Sequence, residues 1–98
     1  MKQLSVAELS KWQVEKKDFQ LIDVREEEEN EAYNIGGDLI PLDEIIRNKE
    51  RINQDKPVVF YCKRGIRSQI AIQKLERKFG LNNLYNLTTG IGIQVSDT

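Results

Sequence analysis

The feature that most constrains this chain is a strand signal followed closely by a helix signal: Pro57-Val58-Val59-Phe60-Tyr61, then Ala71, Ile72, Leu75 and Phe79. The first run is β-branched and aromatic, with proline only at its first position, where a missing N–H costs least. The second repeats at helical spacing and closes on Arg77-Lys78-Phe79-Gly80, two cations and then a glycine suited to end a helix. The helix is expected to start at Ser68 or its neighbours, so the six residues from Cys62 to Arg67 must turn the chain from strand to helix.

The same alternation runs through the rest of the sequence. Ser5-Val6-Ala7-Glu8 is a capping box, and Leu4 and Leu9 occupy the positions of a hydrophobic staple. A helix is predicted from there, turning Val6, Leu9 and Trp12 inward and ending near Lys16-Lys17. Phe19 to Val24 reads as a buried strand, Glu26 to Glu31 as a short solvated helix, and Asn34-Ile35-Gly36-Gly37 as a turn. Leu39-Ile40 is a brief strand, Pro41 leads a second amphipathic stretch through Leu42, Ile45 and Ile46, and Leu84 to Leu87 is a last strand. Thr88 to Thr98 shows no pattern. Strands alternating with helices predict an α/β fold in which a mainly parallel sheet is flanked by helices on both faces.

At 98 residues the chain has the size of one domain, residues 1–98. Such a chain exposes roughly 5,800 Å² folded against about 16,500 Å² unfolded, enough burial for one modest core. No apolar run approaches the roughly 18 residues of a membrane span. The N-terminal Met1-Lys2-Gln3-Leu4-Ser5 has no apolar signal region, so a cytoplasmic location is expected. Nucleic acid is not an expected partner at pI 5.5 with 7% aromatic residues.

Two absences narrow the chemistry. There is no histidine, which excludes Ser-His-Asp and Cys-His pairs and any His-ligated metal, and no cofactor is expected. A single cysteine, Cys62, excludes an internal disulfide and Cys-cluster metal sites. The charge is unevenly spread although the net value is only -1. Nine acids and one base lie between Asp23 and Glu44, whereas Lys56, Lys63, Arg64, Arg67, Lys74, Arg77 and Lys78 face only Glu76 between Lys56 and Lys78. The second segment offers a positive field around Cys62, against the simpler reading of a solvated cationic surface.

Ligands of parallel sheets bind beyond the carboxyl ends of the strands. Two segments meet that rule, Asp23-Val24-Arg25 and the run from Cys62 onward. In the latter, N–H groups of Lys63, Arg64, Gly65, Ile66, Arg67 and Ser68 can converge at a helix N-terminus, with Gly65 free to take a positive φ. That field, with Lys63, Arg64 and Arg67, favours thiolate over thiol and lowers the Cys62 pKa from its reference of about 8.5. A thiolate is already a nucleophile and needs no base. The competing reading is an inert buried cysteine at a strand end.

Cys62-Lys63-Arg64-Gly65-Ile66-Arg67-Ser68 resembles the C-x-x-G-x-R-S active-site loop of single-domain rhodaneses. Leu21-Ile22-Asp23-Val24-Arg25-Glu26 is similar to that family's L-I-D-V-R-E segment, about forty residues upstream. Asn34-Ile35-Gly36-Gly37-Asp38-Leu39-Ile40-Pro41-Leu42 resembles the N-I-G-G-x-L-I-P-L segment of rhodanese domains fused to the adenylyltransferases of molybdopterin synthase and other sulfur carriers. The likeness runs from about Leu4 to Leu87 and implies a rhodanese-like fold. The activity it implies is a sulfurtransferase in which Cys62 carries sulfane sulfur as a persulfide, taken from thiosulfate or a protein persulfide and passed to a thiophilic acceptor. A sulfur-carrier protein as acceptor and a cysteine desulfurase as donor are the implied partners. Arg67 is expected to brace the loop or pair with an anionic donor. Asp23 and Arg25 are expected to bond to backbone or to each other and hold the loop from below.

The chain departs from the family at its end. Where the pattern reads L-x-G-G-I-x-A-W and enters a final helix, this sequence has Leu87-Thr88-Thr89-Gly90-Ile91-Gly92-Ile93-Gln94. The last covering helix is therefore not supported, and a partly exposed sheet face is the expectation. Two rival functions follow: a degenerate rhodanese module used for protein binding, and a Cys-dependent phosphatase with a C-x5-R loop. The spacing from Cys62 to Arg67 is C-x4-R, one residue short of a phosphate cradle.

Overall fold

In the computed structural model, which describes residues 1–92, the elements run β1 (Lys2–Leu4), α1 (Val6–Val14), β2 (Gln20–Asp23), α2 (Glu27–Ala32), β3 (Asp38–Leu39), β4 (Val58–Tyr61), α3 (Ile66–Phe79) and β5 (Leu84–Leu87). Two short 3-10 turns, Leu42–Glu44 and Lys49–Arg51, join β3 to β4. The five strands form one sheet in the order β1-β5-β4-β2-β3, and every pairing is parallel. Among the described residues no helix is long and apolar enough to cross a membrane.

Side chains alternate across a strand, so β4 serves two cores at once. Val58, Phe60 and Cys62 face one side with Ile22, Val24, Ile40, Ile45, Ala71, Ile72 and Leu75. Val59 and Tyr61 face the other with Leu4, Leu9, Leu87 and Ile91, backed by Trp12 and Phe19. α3 covers the first face because Ala71, Ile72 and Leu75 fall on one stripe, all 0% exposed. Truncating Ile72 or Leu75 to alanine would cost about 2–5 kcal/mol each.

The predicted elements are present with several corrections. The capping box forms: the Ser5 N–H donates to Glu8 Oε1 at 2.8 Å and the Glu8 N–H to Ser5 Oγ at 3.0 Å. Ahead of it, the unanticipated β1 pairs with β5, its three residues being too few to show alternation. Val6 is 48% exposed rather than inward, and the packed stripe of α1 is Leu9 and Trp12. α1 stops at Val14, short of Lys16-Lys17, where Lys16 turns the chain at φ 57°. The stretch after Pro41 winds as a 3-10 turn and still buries Ile45. α3 begins at Ile66, not near Ser68.

Residues 88–92, after β5, fold onto the molecule, contrary to the patternless reading. The Ile91 N–H donates to the Cys62 carbonyl at 3.0 Å and the Gly92 N–H to the Lys63 carbonyl at 2.9 Å. Ile91 is 5% exposed and packs into the second core with Leu4, Leu9, Val59, Tyr61 and Leu87. Beside it, Val6, Leu9, Tyr33, Ile35 and Leu87 line a groove of about 170 Å³. The question of a final helix concerns residues 93–98, which lie outside the described residues.

Candidate active site

Cys62 leaves the carboxyl end of β4, between β5 and β2, and is 1% exposed. Because α3 starts early, only Lys63, Arg64 and Gly65 separate the cysteine from the helix. Gly65 makes this tight turn by adopting φ 87°, and a side chain there would strike the Thr88 carbonyl oxygen. The turn aims the Gly65 N–H at Cys62 Sγ at 3.1 Å and the Ser68 N–H at 3.4 Å. Ser68 Oγ lies 3.5 Å from the sulfur. The sulfur thus sits at the N-terminus of a 14-residue helix, where unpaired N–H groups and the helix dipole favour an anion.

Burial pushes the Cys62 thiol up, but the hydrogen bond shared with the Ser68 hydroxyl and those from the Ser68, Arg64 and Gly65 N–H groups outweigh it. The net effect is a pKa below that of an ordinary thiol. The cations contribute less than their number suggested. The Arg67 guanidinium is held in a two-pronged pair with Glu29 of α2, at 2.7 and 2.9 Å. Lys63 and Arg64 are exposed on the rim. The Arg67 pair in turn draws the Glu29 carboxyl down to about 2. Cys62, Lys63, Arg64, Ile66 and Arg67 line a hollow of about 260 Å³, roomy enough for a small sulfur compound.

Asp23 and Arg25 occupy the end of β2 and are 0% and 5% exposed. Asp23 Oδ1 accepts from the Arg25 N–H and Nε, both at 3.0 Å, and Oδ2 accepts from Arg25 Nη2 at 3.0 Å and Asn30 Nδ2 at 2.9 Å. Arg25 Nη2 also donates to the Tyr33 carbonyl at 2.6 Å. Through Asn30 and Tyr33 the pair fastens the C-terminal part of α2 to β2. Its hydrogen bonds reach the cysteine loop only indirectly, through Glu29 on α2 and then Arg67.

The segment Asn34 to Leu42 is put to structural use. Gly37 passes so close to the Leu21 backbone that a side chain would clash, Ile35 packs against the second core, and the Tyr61 hydroxyl donates to the Gly36 carbonyl at 2.9 Å. Two residues of the site escaped sequence reasoning. Glu29 was one acid in a run of four, indistinguishable without its partner. Asn86 carried a readable signal, a polar residue inside the apolar strand Leu84-Tyr85-Asn86-Leu87, and it is 2% exposed.

The sequence model of the Rhodanese-like domain matches residues 5–92, nearly the whole described chain. The chain belongs to the rhodanese-like domain family. A thiosulfate sulfurtransferase, GlpE, of Coxiella burnetii is 31% identical over 87 residues, which cover 87% of this chain and 80% of that protein. An uncharacterized protein, YqhL, of Bacillus subtilis is 47% identical over 72 residues, 72% of this chain, and the match spans only 56% of the relative's length. Among solved structures, a rhodanese-like domain protein from Staphylococcus aureus has TM-score 0.82 and 31% identity over 92% of this chain and 87% of its own. A rhodanese-like sheet with helices on both faces is therefore the fold, and sulfurtransferases are among the relatives.

Proposed function

We propose that this rhodanese-like domain is a sulfurtransferase whose Cys62 takes sulfane sulfur from thiosulfate or a protein persulfide, holds it as a persulfide and passes it to a thiophilic acceptor. The observation that carries the reading is the convergence of the Gly65 and Ser68 N–H groups on a buried sulfur at the start of α3. In the first half-reaction the Cys62 thiolate attacks the outer sulfur of thiosulfate, the S–S bond breaks, and sulfite leaves with the bonding pair. In the second, the acceptor attacks the terminal sulfur and the Cys62 thiolate is the leaving group, stabilised by the same N–H donors. Ser68 and the backbone of Lys63, Arg64, Gly65, Ile66 and Arg67 form the cradle, Arg67 braces it through Glu29, and Asp23 with Arg25 supports it at one remove through α2. Residues 1–98 act as one domain, and a reactive lone thiol suits the reducing cytoplasm.

The finer proposal for the acceptor is a sulfur-carrier protein, with a cysteine desulfurase as donor, supported by the likeness of Asn34 to Leu42 to carrier-activating rhodanese domains. Exposed Lys63 and Arg64 would guide an acidic carrier chiefly through its association rate. With an adenylated carrier the terminal persulfide sulfur is instead the nucleophile: it attacks the acyl carbon, AMP leaves, and added thiol cleaves the resulting acyl disulfide to release the thiocarboxylate. Single-turnover transfer from persulfidated Cys62 to such a carrier, faster than to a small thiol and slowed by salt, is the expected result. Equal rates without salt dependence would remove the carrier.

Turnover tests the activity itself: with thiosulfate and cyanide the folded protein should release thiocyanate. Folded protein that releases none would leave the alternative, a rhodanese module kept for protein binding. A phosphatase is disfavoured by the short spacing from Cys62 to Arg67 and by Arg67 being held by Glu29.

A further inference from the structure

Asn86 is a buried carboxamide on β5 with all its polar atoms engaged beside the sulfur cradle. Its Nδ2 donates to the Gly65 carbonyl and to Gln3 Oε1, both at 3.2 Å, and its Oδ1 accepts from the Ser68 hydroxyl. With two acceptors facing Nδ2, the amide cannot profitably flip, so Ser68 is presented with an acceptor only. Ser68 has one hydroxyl proton and two neighbours that can take it, Asn86 Oδ1 and Cys62 Sγ. We infer that Asn86 is a positioning residue for the sulfur chemistry, setting the direction of the Ser68 hydroxyl and thereby how readily Cys62 gives up its proton.

With Cys62 as a thiol, the S–H donates to Ser68 Oγ while the Ser68 O–H donates to Asn86 Oδ1, an ordered chain with every member paired. When the thiol proton leaves to solvent, the sulfur becomes an acceptor. The Ser68 O–H then reaches it only by turning away from Asn86, and ionisation forfeits one hydrogen bond. Asn86 therefore restrains the thiolate that the N–H groups promote, and it acts through Ser68. The same balance applies to the sulfur after transfer, where the released thiolate is again the group to be stabilised. The charged groups around Cys62 are Lys63 and Arg64 of the loop, Arg67 of α3, Glu29 of α2, and the Asp23 and Arg25 pair at the end of β2. Replacing Asn86 changes none of them.

This inference rests on Cys62 as the reacting group, and its test reads the thiol titration rather than sulfur transfer, so failure of the proposed activity and failure of this idea are distinguishable. Alkylation of Cys62 by iodoacetamide is followed against pH in wild type, Asn86→Leu, Ser68→Ala and the double variant. Asn86→Leu frees the Ser68 hydroxyl for the sulfur and should lower the midpoint by about one pH unit, the size of one hydrogen bond to a charged group. In the Ser68→Ala background the same replacement should shift nothing. A midpoint that rises or stays put in Asn86→Leu, or a shift of equal size with Ser68 absent, overturns the proposal, because an Asn86 that merely braced the loop would behave in that way. Should Asn86→Leu fail to fold, the smaller Asn86→Ala takes its place. The Ser68→Ala variant alone is the independent check: its midpoint should rise by less than a full unit over wild type, and a rise of a full unit or more would show the hydroxyl already committed to sulfur and overturn the idea.

Discussion

At the end of β2, Asp23 and Arg25 are withdrawn from solvent with both carboxylate oxygens occupied twice over and the guanidinium tied to the Tyr33 carbonyl. At the end of the neighbouring β4, Cys62 is equally buried, yet its sulfur is approached by N–H donors from one side and borders a hollow on another. Both loops leave adjacent parallel strands at the edge where such sheets bind ligands. The difference lies in the donors. A carboxylate whose oxygens are all taken up by Arg25 and Asn30 is a fastening, whereas a sulfur held by backbone N–H groups at a helix start keeps a face for chemistry. Burial alone would have ranked the two sites together.

Breaking the fastening should have the largest effect on stability. Arg25→Ala leaves the Asp23 carboxylate buried without its partner, and the expected loss is about 3–5 kcal/mol in urea denaturation. A loss below about 1 kcal/mol would mean that the pair does not fasten α2, and the contrast between the loops would collapse. Next comes the cradle. Gly65→Ala forces a side chain into a left-handed turn and against the Thr88 carbonyl, at a cost of about 1–3 kcal/mol. Unlike Arg25→Ala it should also raise the Cys62 alkylation midpoint, since the Gly65 N–H would be displaced from the sulfur. An unchanged midpoint in folded Gly65→Ala would show that the N–H geometry does not set the thiol.

The Glu29 and Arg67 pair joins the two regions and should matter less, because both side chains are about one third exposed. Glu29 is lowered from 4.5 to about 2 in the folded protein, chiefly by its hydrogen bonds to Arg67. A depressed carboxyl contributes stability that is fully present above the unfolded value and is lost as pH falls through the folded one. Wild type should therefore lose stability between about pH 4.5 and 2 more steeply than Glu29→Gln, by under about 1 kcal/mol. Parallel curves in acid denaturation would show that the pair contributes nothing to stability. The smallest effect on the thiol belongs to the rim. Lys63→Ala and Arg64→Ala should move the alkylation midpoint less than Gly65→Ala does, while flattening the salt dependence of transfer to an acidic acceptor.

How much of this could be read in advance follows from where the information is local. The strand from Val58 to Tyr61, the helix carrying Ala71, Ile72 and Leu75, and the Ser5 capping box are each written within a few residues, and each formed. The glycine turn after Cys62 was legible for the same reason. What failed was non-local or too short: β1 exists only because β5 offers it an edge, and the stretch after Pro41, amphipathic in pattern, winds only as a 3-10 turn. The cationic loop looked electrostatically open because the sequence hides that Arg67 meets Glu29 across 38 positions. Asn86 showed as a polar residue in an apolar strand, but its partners come from the cysteine loop, α3 and the N-terminal strand. Ile91 likewise acquires meaning only when its N–H and that of Gly92 meet the carbonyls of Cys62 and Lys63.

The central claim is that Cys62 carries transferable sulfur, and intact mass tests it most directly. Wild-type protein exposed to thiosulfate or a persulfide donor should gain the mass of one sulfur atom, lose it again on addition of cyanide with release of thiocyanate, and show neither change when Cys62 is replaced by serine. Folded wild-type protein that gains no sulfur from either donor, or a gain that persists in Cys62→Ser, would contradict the account.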